Sequence, residues 1–221
     1  MSERAATGNQ KPARKQQQRS IVTQQKLLDA AIEAFSESGF KGTSTRDIAD
    51  RAGVHHPLIT YHFKNKDQLW RAAADRIFRE FNISLVKAMG EVPESRPRAR
   101  AETFIRPYVR YAHNQPALHK FILQESSHPS ARLDWLVENH LKPLFDIVVK
   151  SLRELQQLGI APPGDPAILF NMIRVSAGGL LALGEEIKGT SNIDFDSEAA
   201  LDELADMIIR CFLPGDEVAR Q

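Results

Sequence analysis

Side chains able to bind phosphate groups or the edges of bases lie close together between residues 43 and 66. Arg46 carries a planar guanidinium, which can donate two hydrogen bonds at once to a phosphate or to a guanine edge. Tyr61 and His62 add hydrogen-bonding groups without negative charge, and Lys66 adds a positive point charge. These residue types together suit a polyanion, provided that the fold holds them on one surface.

The same stretch predicts two short helices joined by a tight turn. Ser44 and Asp47 have the S-x-x-D spacing of a capping box, in which a hydroxyl and a carboxylate satisfy free amides at a helix start. Gly53 stands where a residue with positive φ would end the first helix, and Pro57 falls in the first turn of the second. Helix, glycine turn and helix is the arrangement of the helix-turn-helix unit, with an αα-hairpin inside a helical core as the alternative.

A further helix is predicted to begin at Asn65, because Asn65 and Gln68 have the spacing of another helix cap. Lys66 would then lie in the first turn, where a helix N-terminus already attracts anions. Apolar spacing extends this helix to about Met89, and the sequence GEVPESRP at 90–97 predicts a loop.

The run GFxxTSTRDIAxxAGV, followed by YHFKNKxxL, resembles the DNA-binding domain of the TetR family of bacterial transcriptional regulators. The resemblance covers roughly residues 23–69, at fixed spacing and without a gap. It implies an all-α protein, with an N-terminal three-helix helix-turn-helix DNA-binding domain and a C-terminal helical ligand-binding and dimerisation domain. The expected division is a disordered basic arm at 1–20, the helix-turn-helix domain at 21–67 and the helical domain at 68–221.

By resemblance, the start of the first short helix contacts the DNA backbone, and the second helix lies in the major groove. For Arg46 the alternative is a salt bridge to Asp50, one turn further along the helix. Tyr61, His62 and Lys66 match the phosphate-contacting positions of the family. The candidate DNA-binding residues are Thr45, Arg46, His56, Pro57, Leu58, Thr60, Tyr61, His62 and Lys66.

The second short helix departs from the usual family pattern at His55, Leu58 and Thr60. Base contacts carry sequence specificity, so these departures prevent an operator sequence from being carried over. They also leave an alternative function, a helical ligand-binding or interaction protein with a degenerate DNA-binding head. A metal site at the histidines has little support, because His55, His56 and His62 contain no H-x-x-x-H pair.

Before this region, residues 1–20 carry five basic side chains against Glu3 alone and show no apolar periodicity. Such an arm is expected to be disordered when free. Two roles are open for it: it makes the chain more soluble, or it binds DNA beside the main site. The first helix is predicted to have Thr23 as its N-cap and to end at Gly39, with Phe40 folded back onto the core.

The last two helices are predicted at about 166–188 and 196–212. The former carries two apolar faces, Ile168/Met172/Val175/Gly179 and Leu169/Ile173/Ala177/Leu180. A helix that covers only its own domain needs one such stripe, so the second face indicates a partner, with a fully buried monomer helix as the alternative. By resemblance, these helices form a homodimer interface, which implies recognition helices roughly 34–36 Å apart and a palindromic double-stranded DNA operator.

The resemblance also implies a small-molecule effector between the middle helices. Aromatic and apolar side chains there suit a mostly hydrophobic ligand, although apolar residues at helical spacing are more often plain core. Glu125 and Arg174 are either polar anchors for the ligand or paired surface charges. The candidate ligand-binding residues are Phe104, Tyr108, Tyr111, Phe121, Trp135, Asn171 and Met172.

Composition and motifs exclude other classes. The 221 residues carry a net charge of +1 and a single cysteine, which excludes an intrachain disulfide and suits a reducing cytoplasm. No secretory signal or membrane span is expected, and no G-x-S-x-G, P-loop or dinucleotide motif predicts an enzyme or a cofactor. Cys211 is expected to be a small core or interface residue. The expected function is therefore a ligand-responsive, cytoplasmic transcriptional regulator, in the first place a repressor.

Overall fold

A computed structural model describes residues 11–89 and 95–215 of the protein, with side chains over 16–87 and 95–215. Every regular element within these ranges is helical, so the predicted all-α fold class is confirmed. The elements are α1 (Lys11–Gly42), α2 (Thr45–Ala52), α3 (Pro57–Phe63), α4 (Lys66–Met89), α5 (Pro97–Asn114), α6 (Ala117–Ser126), α7 (Ala131–Leu136), a first π-helical segment (Val137–Leu141), α8 (Lys142–Gln157), α9 (Pro166–Arg174), a second π-helical segment (Val175–Gly179), α10 (Leu180–Ala182), α11 (Gly184–Ser191) and α12 (Glu198–Phe212).

The chain divides into two compact units, residues 1–74 and 75–221. The division falls inside α4, which is one continuous helix. The first unit contains α1, α2 and α3, and the second contains all elements from α5 onward.

Helix α1 begins at Lys11, and the predicted start at Thr23 is wrong. Thr23 lies inside the helix, where its hydroxyl donates a hydrogen bond to the Arg19 carbonyl oxygen at 2.9 Å. The physical reason is the composition of residues 11–20, in which Lys, Arg, Gln and Ala all favour helix. Of the arm predicted to be disordered, residues 11–20 are therefore helical, and residues 1–10 lie outside the described ranges.

The helical path of α1 is interrupted at Gly39, as predicted, although the element continues to Gly42. Gly39 has φ 65° and ψ 178°, a conformation that residues with a Cβ rarely adopt. The interruption brings the ring of Phe40 back onto Phe35, with centroids 6.0 Å apart. Phe35 and Leu27 are fully buried in the core of the first unit.

Helix α4 runs over the predicted residues. Its start is fixed by Asn65, whose side-chain oxygen accepts a hydrogen bond from the Gln68 amide at 2.8 Å. The predicted apolar stripe is buried throughout the helix. Its members are Leu69, Trp70, Ala73, Ile77, Phe78, Phe81 and Leu85.

A proline and a wider helical turn split the long segment after α6. Pro143 has no N–H to donate to the carbonyl four residues earlier. The first π-helical segment lies just before it, in the turn that would contain this hydrogen bond. The segment is therefore divided into α7, the first π-helical segment and α8.

The single helix predicted at 166–188 is wrong. Asp165 caps its start, accepting a hydrogen bond from the Ala167 amide at 2.7 Å, and Pro166 occupies the first turn. The path then widens into the second π-helical segment and bends by 77° between Pro166–Ala182 and Gly184–Ser191. Gly178 and Gly179 lie in the widened turn, and glycine weakens a regular helix.

Helix α12 begins at Glu198, slightly later than predicted, and packs against α5, α9 and the second π-helical segment. Its buried stripe includes Leu201, Ala205, Ile208 and Phe212. Within the described ranges no single helix is long and apolar enough to cross a bilayer, and only the bent pair Pro166–Ala182 and Gly184–Ser191 would qualify, by length and composition.

Candidate nucleic-acid interface

Local hydrogen bonds build the turn between α2 and α3. The Ser44 hydroxyl accepts from the Asp47 amide at 3.0 Å, and the Asp47 carboxylate accepts from the Ser44 amide at 3.2 Å. These bonds hold the pKa of Asp47 below its usual value. Gly53 has φ 64° and ψ 37°, and its amide bonds back to the carbonyls of Ala49 and Asp50. The predicted capping box and glycine stop are therefore confirmed.

A contact between side chains ties the start of α3 to the start of α2. Thr45 Oγ1 and His56 Nε2 lie 2.9 Å apart, within hydrogen-bonding distance. His56 is the residue before Pro57, and its side chain forms no helix cap. Two predicted DNA-binding residues, one on each helix, are thus held together.

The guanidinium of Arg46 is exposed on α2. It forms no ion pair with Asp50, the alternative that the sequence left open. The other arginine of this helix, Arg51, behaves differently, because it pairs with Glu37 of α1 at 2.8 Å. Arg46 is therefore available to an external anion.

Helix α3 has a buried side and an exposed side. Ile59 and Phe63 are buried in the first unit, while Pro57 and Thr60 are exposed and Leu58 is half-buried. Tyr61 is 75% exposed, an unusually high value for a tyrosine. The predicted groove-facing residues of this helix therefore reach solvent.

His62 lies half-buried beside the exposed Tyr61. Its ring meets the Tyr61 ring edge-on, with centroids 4.9 Å apart, and lies 6.1 Å from that of Phe63. Burial lowers the pKa of His62, so its imidazole is neutral at pH 7 and can donate one hydrogen bond.

Two lysines flank the cap of α4. Lys66, in the first turn, places its ammonium 4.3 Å from the centre of the Phe40 ring. Lys64 has φ 64° and ψ −51°, the strained centre of a γ-turn, closed by a 2.7 Å hydrogen bond from the Asn65 amide to the Phe63 carbonyl. Lys64 is exposed. Sequence reasoning did not select it as a candidate, because nothing in the composition predicts a lysine with positive φ.

No group of metal-ligating residues is present in the described part of the chain.

The candidate ligand-binding residues do not all meet. Phe104, Tyr108 and Tyr111 on α5 form an aromatic cluster with Phe81 of α4. The ring centroids lie 5.9 Å apart for Phe104 and Tyr108, 5.8 Å for Phe81 and Tyr108, and 5.2 Å for Phe81 and Tyr111. Burial raises the pKa of Tyr111 to about 12, so its phenol stays protonated. Phe121 on α6 is 1% exposed.

The remaining three candidates lie elsewhere. Trp135 meets the ring of His140 edge-on at 5.2 Å. Met172 is 51% exposed, and Asn171 is also exposed. A groove of about 670 Å³ along α4, with His140 in its wall, includes none of the predicted ligand-binding residues.

The charged pair considered from the sequence is not formed. Glu125 is buried and bonds to Arg132, with its Oε2 3.2 Å from Arg132 Nε. Arg174 instead donates from Nη2 to the side-chain oxygen of Asn171 at 3.2 Å. His119, to which the sequence assigned no role, is buried and bonded to Tyr108 at 2.7 Å.

Comparisons with known proteins agree with this geometry. The family model described as bacterial regulatory proteins, tetR family, matches residues 27–73, which span the helix-turn-helix unit. The crystal structure of AibR in complex with isovaleryl coenzyme A and operator DNA aligns with a TM-score of 0.71, over 88% of this chain and 100% of that one, at 17% identity. The fold and the exposed α2–α3 surface define a helix-turn-helix protein. Its residues 27–73 match the DNA-binding region of the TetR family of bacterial transcriptional regulators.

Relatives differ in how much of the chain they match. The transcriptional regulator RutR of Escherichia coli strain K12 is 24% identical over 189 residues, which cover 86% of this chain and 88% of RutR. The class D tetracycline repressor of Escherichia coli is 33% identical over 90 residues, and the chain spans 41% of that relative. It spans 64% of the probable regulator YttP of Bacillus subtilis strain 168, at 24% identity. These relatives are regulators and not enzymes, in agreement with the lack of catalytic motifs.

Proposed function

We propose that this protein represses transcription by binding a palindromic double-stranded DNA operator as a homodimer, and that a small, mostly hydrophobic effector releases it. The observation that carries the proposal is the exposed surface of α2 and α3. Arg46 is exposed and not paired with Asp50, Tyr61 is 75% exposed, and the Thr45–His56 contact fixes the two helices to each other. Such a surface offers phosphate contacts at its edges and base contacts between them.

A dimer is supported by an apolar surface that the second unit leaves exposed. This dimer face consists of Ile168, Met172 and Val175, which are 62%, 51% and 57% exposed, with Met207 (51%) and Cys211 on the adjoining α12. The opposite stripe of the same helical path is buried, whereas Ile168, Met172 and Val175 are exposed in the single chain. Large exposed apolar patches mark interaction sites. A twofold axis through the face makes the operator an inverted repeat.

An effector site is supported by the aromatic cluster on α5. Phe81, a member of that cluster, belongs to α4, and α4 begins at Lys66 beside the proposed DNA surface. A ligand that repacks the cluster therefore acts on the helix that continues to the DNA-binding head. Release requires the ligand to bind the DNA-incompetent state more tightly than the competent one. The AibR structure holds an acyl thioester together with operator DNA, so this fold can accommodate both.

The experiment is a fluorescence anisotropy titration with DNA from upstream of the protein's own gene, at several salt concentrations. We expect tight binding that weakens steeply with salt, because phosphate contacts release counterions. Arg46→Ala should weaken binding roughly tenfold or more, and Tyr61→Phe by a few fold, as expected for a charged and a neutral hydrogen bond. Arg51→Ala is the matched control, since it removes the same charge from the same helix but from a residue already paired with Glu37.

Equal losses in Arg46→Ala and Arg51→Ala would contradict the assigned surface. Binding no tighter than to random DNA would exclude regulation of the protein's own gene. Absence of binding to any DNA at low salt would overturn the proposed function.

A further inference from the structure

A buried polar cluster lies in the second unit, where α5, α6 and the second π-helical segment meet. Tyr108 Oη and His119 Nε2 are 2.7 Å apart, and both residues are almost completely buried. The His119 ring also packs against the backbone of Gly178. A Cβ added at Gly178 would lie 1.8 Å from His119 Nε2, so the ring occupies the space that any side chain there would need.

The proton in this pair can take two positions. Burial raises the pKa of Tyr108 and lowers that of His119 to about 4, so both groups are neutral at pH 7. Among the described residues, the only hydrogen-bond partner of Tyr108 Oη is His119. If the imidazole donates to the phenol, the phenol proton is buried without an acceptor. If Tyr108 donates to Nε2, the ring proton of His119 resides on Nδ1, and that N–H has no acceptor.

Each tautomer leaves one buried donor of the pair unpaired, and an external acceptor at Nδ1 would satisfy both groups, because Tyr108 then donates to Nε2. His119 Nδ1 has no hydrogen-bond partner in the described part of the structure, and neither does the buried Nε of Arg174. Arg174 precedes Gly178 by about one helical turn, on the same path that touches the His119 ring. The charge of Arg174 acts on both Tyr108 and His119 and contributes to lowering the pKa of His119.

Arg174 also connects this cluster with the surface. Its side chain is half-buried, and its Nη2 donates to the neutral side-chain oxygen of the exposed Asn171. Within the described ranges no carboxylate pairs with Arg174. Two enclosed nitrogens, one of them in a cation that acts on the Tyr108–His119 pair, thus have no anion of the described residues as a partner.

We propose that the Nδ1–H of His119 and the Nε–H of Arg174 bind the carboxylate of a small organic acid, whose apolar body lies against the aromatic cluster on α5. The inference rests on the proposed effector function and names its ligand class. One positive charge and two N–H donors match a monoanionic carboxylate, which accepts through two oxygens. Tyr108 connects the site with α4, because it contacts His119 in the site and Phe81 on α4.

The test uses the full-length protein and a panel of apolar monocarboxylic acids of four to twelve carbons, straight, branched and aryl, each paired with its primary amide. Binding is measured by the rise in Tm, and operator release by anisotropy. At least one acid should raise the Tm and release DNA, and its amide should bind roughly tenfold or more weakly, the difference expected for a charge-assisted hydrogen bond. Arg174→Gln should remove the preference for the acid, while Arg153→Gln, an exposed arginine on α8, should preserve it.

A second measurement does not depend on any variant folding. The ¹⁵N chemical shifts of the His119 imidazole report which nitrogen carries the proton, and we expect the Nδ1–H tautomer at pH 7 when the acid is bound. Equal binding of acids and amides, an unchanged acid preference in Arg174→Gln, the Nε2–H tautomer in the acid complex, or no acid that raises the Tm would each overturn the proposal. If the protein binds DNA but no acid raises its Tm or releases the DNA, only this inference is contradicted. If an acid binds but no DNA does, the proposed repressor function is contradicted.

Discussion

At the residue scale, His119 is a titratable group held almost completely away from water. It is neutral, 6% exposed and bonded through Nε2 to a phenol that is itself buried. Desolvation is the main cause of its lowered pKa, and the nearby Arg174 is the second. The cluster therefore penalises protonation of His119 in the folded state.

This penalty predicts a pH dependence of stability. The pKa of His119 is about 4 when folded, against 6.5 for an ordinary histidine, so below pH 6.5 the unfolded chain takes up a proton that the folded chain refuses. The free energy of unfolding should fall as the pH drops from 6.5 to 4, by about 3 kcal/mol from this residue. His119→Gln should show a shallower loss over that window in urea unfolding at each pH. His62 and His140 also have lowered pKa values. Both residues are present in the two proteins, so their contributions to the pH dependence cancel in the comparison. Identical slopes for the two proteins would contradict the assignment.

Residue-level patterns were the most predictable part of the sequence. Ser44 and Asn65 both cap helices as expected, because a cap depends on residues two or three positions away. The Nδ1 of His119 and the positive φ of Lys64 could not be predicted, since both depend on what the rest of the fold places around them.

At the element scale, the path from α9 to α11 is the main departure from the sequence prediction. Apolar periodicity indicated one helix over 166–188, but the chain forms a π-helical segment and then a bend. Periodicity reports which residues face the core and does not distinguish a regular turn from a widened one. The same limit affected α1, where residues 11–20 are helical without an apolar stripe to reveal it.

Close packing of Gly178 on His119 predicts that a methyl group is not tolerated there. Gly178→Ala should destabilise the protein by roughly 1–3 kcal/mol, the range for overpacking a core. Gly189→Ala is the matched control, because Gly189 is exposed in α11 and nothing lies within 4 Å of an added Cβ. That control should be neutral or stabilising by up to about 1 kcal/mol, because alanine favours helix. Thermal or urea unfolding of both variants decides the matter, and equal stability of the two would contradict the packing.

At the scale of the whole molecule, the proposed function depends on a second copy of the chain. The dimer face is apolar and exposed, and the sequence indicated it through the second stripe on the 166–188 segment. Cys211 lies on this face and is exposed, so the expectation of a core cysteine is wrong and the interface role stays a prediction.

A charge placed on the dimer face should separate the subunits. Met172→Glu buries a carboxylate in the proposed interface, and we expect a monomer by sedimentation velocity where the unchanged protein is a dimer. Leu123→Glu is the matched control, since Leu123 is 55% exposed on α6 and is not one of the residues of the dimer face. The control should remain dimeric. If the Met172→Glu protein remains a dimer, the dimer face does not form the interface.

The measurement that tests the proposed function most directly is selection of bound sequences from a random pool of double-stranded DNA by the full-length protein at moderate salt. We expect enrichment of an inverted repeat, with half-site centres about one helical turn apart, roughly 34–36 Å. Arg46→Ala should enrich the repeat poorly or not at all. Enrichment of a single unrepeated site would contradict the dimeric operator, and the absence of any enriched sequence would contradict the regulator itself.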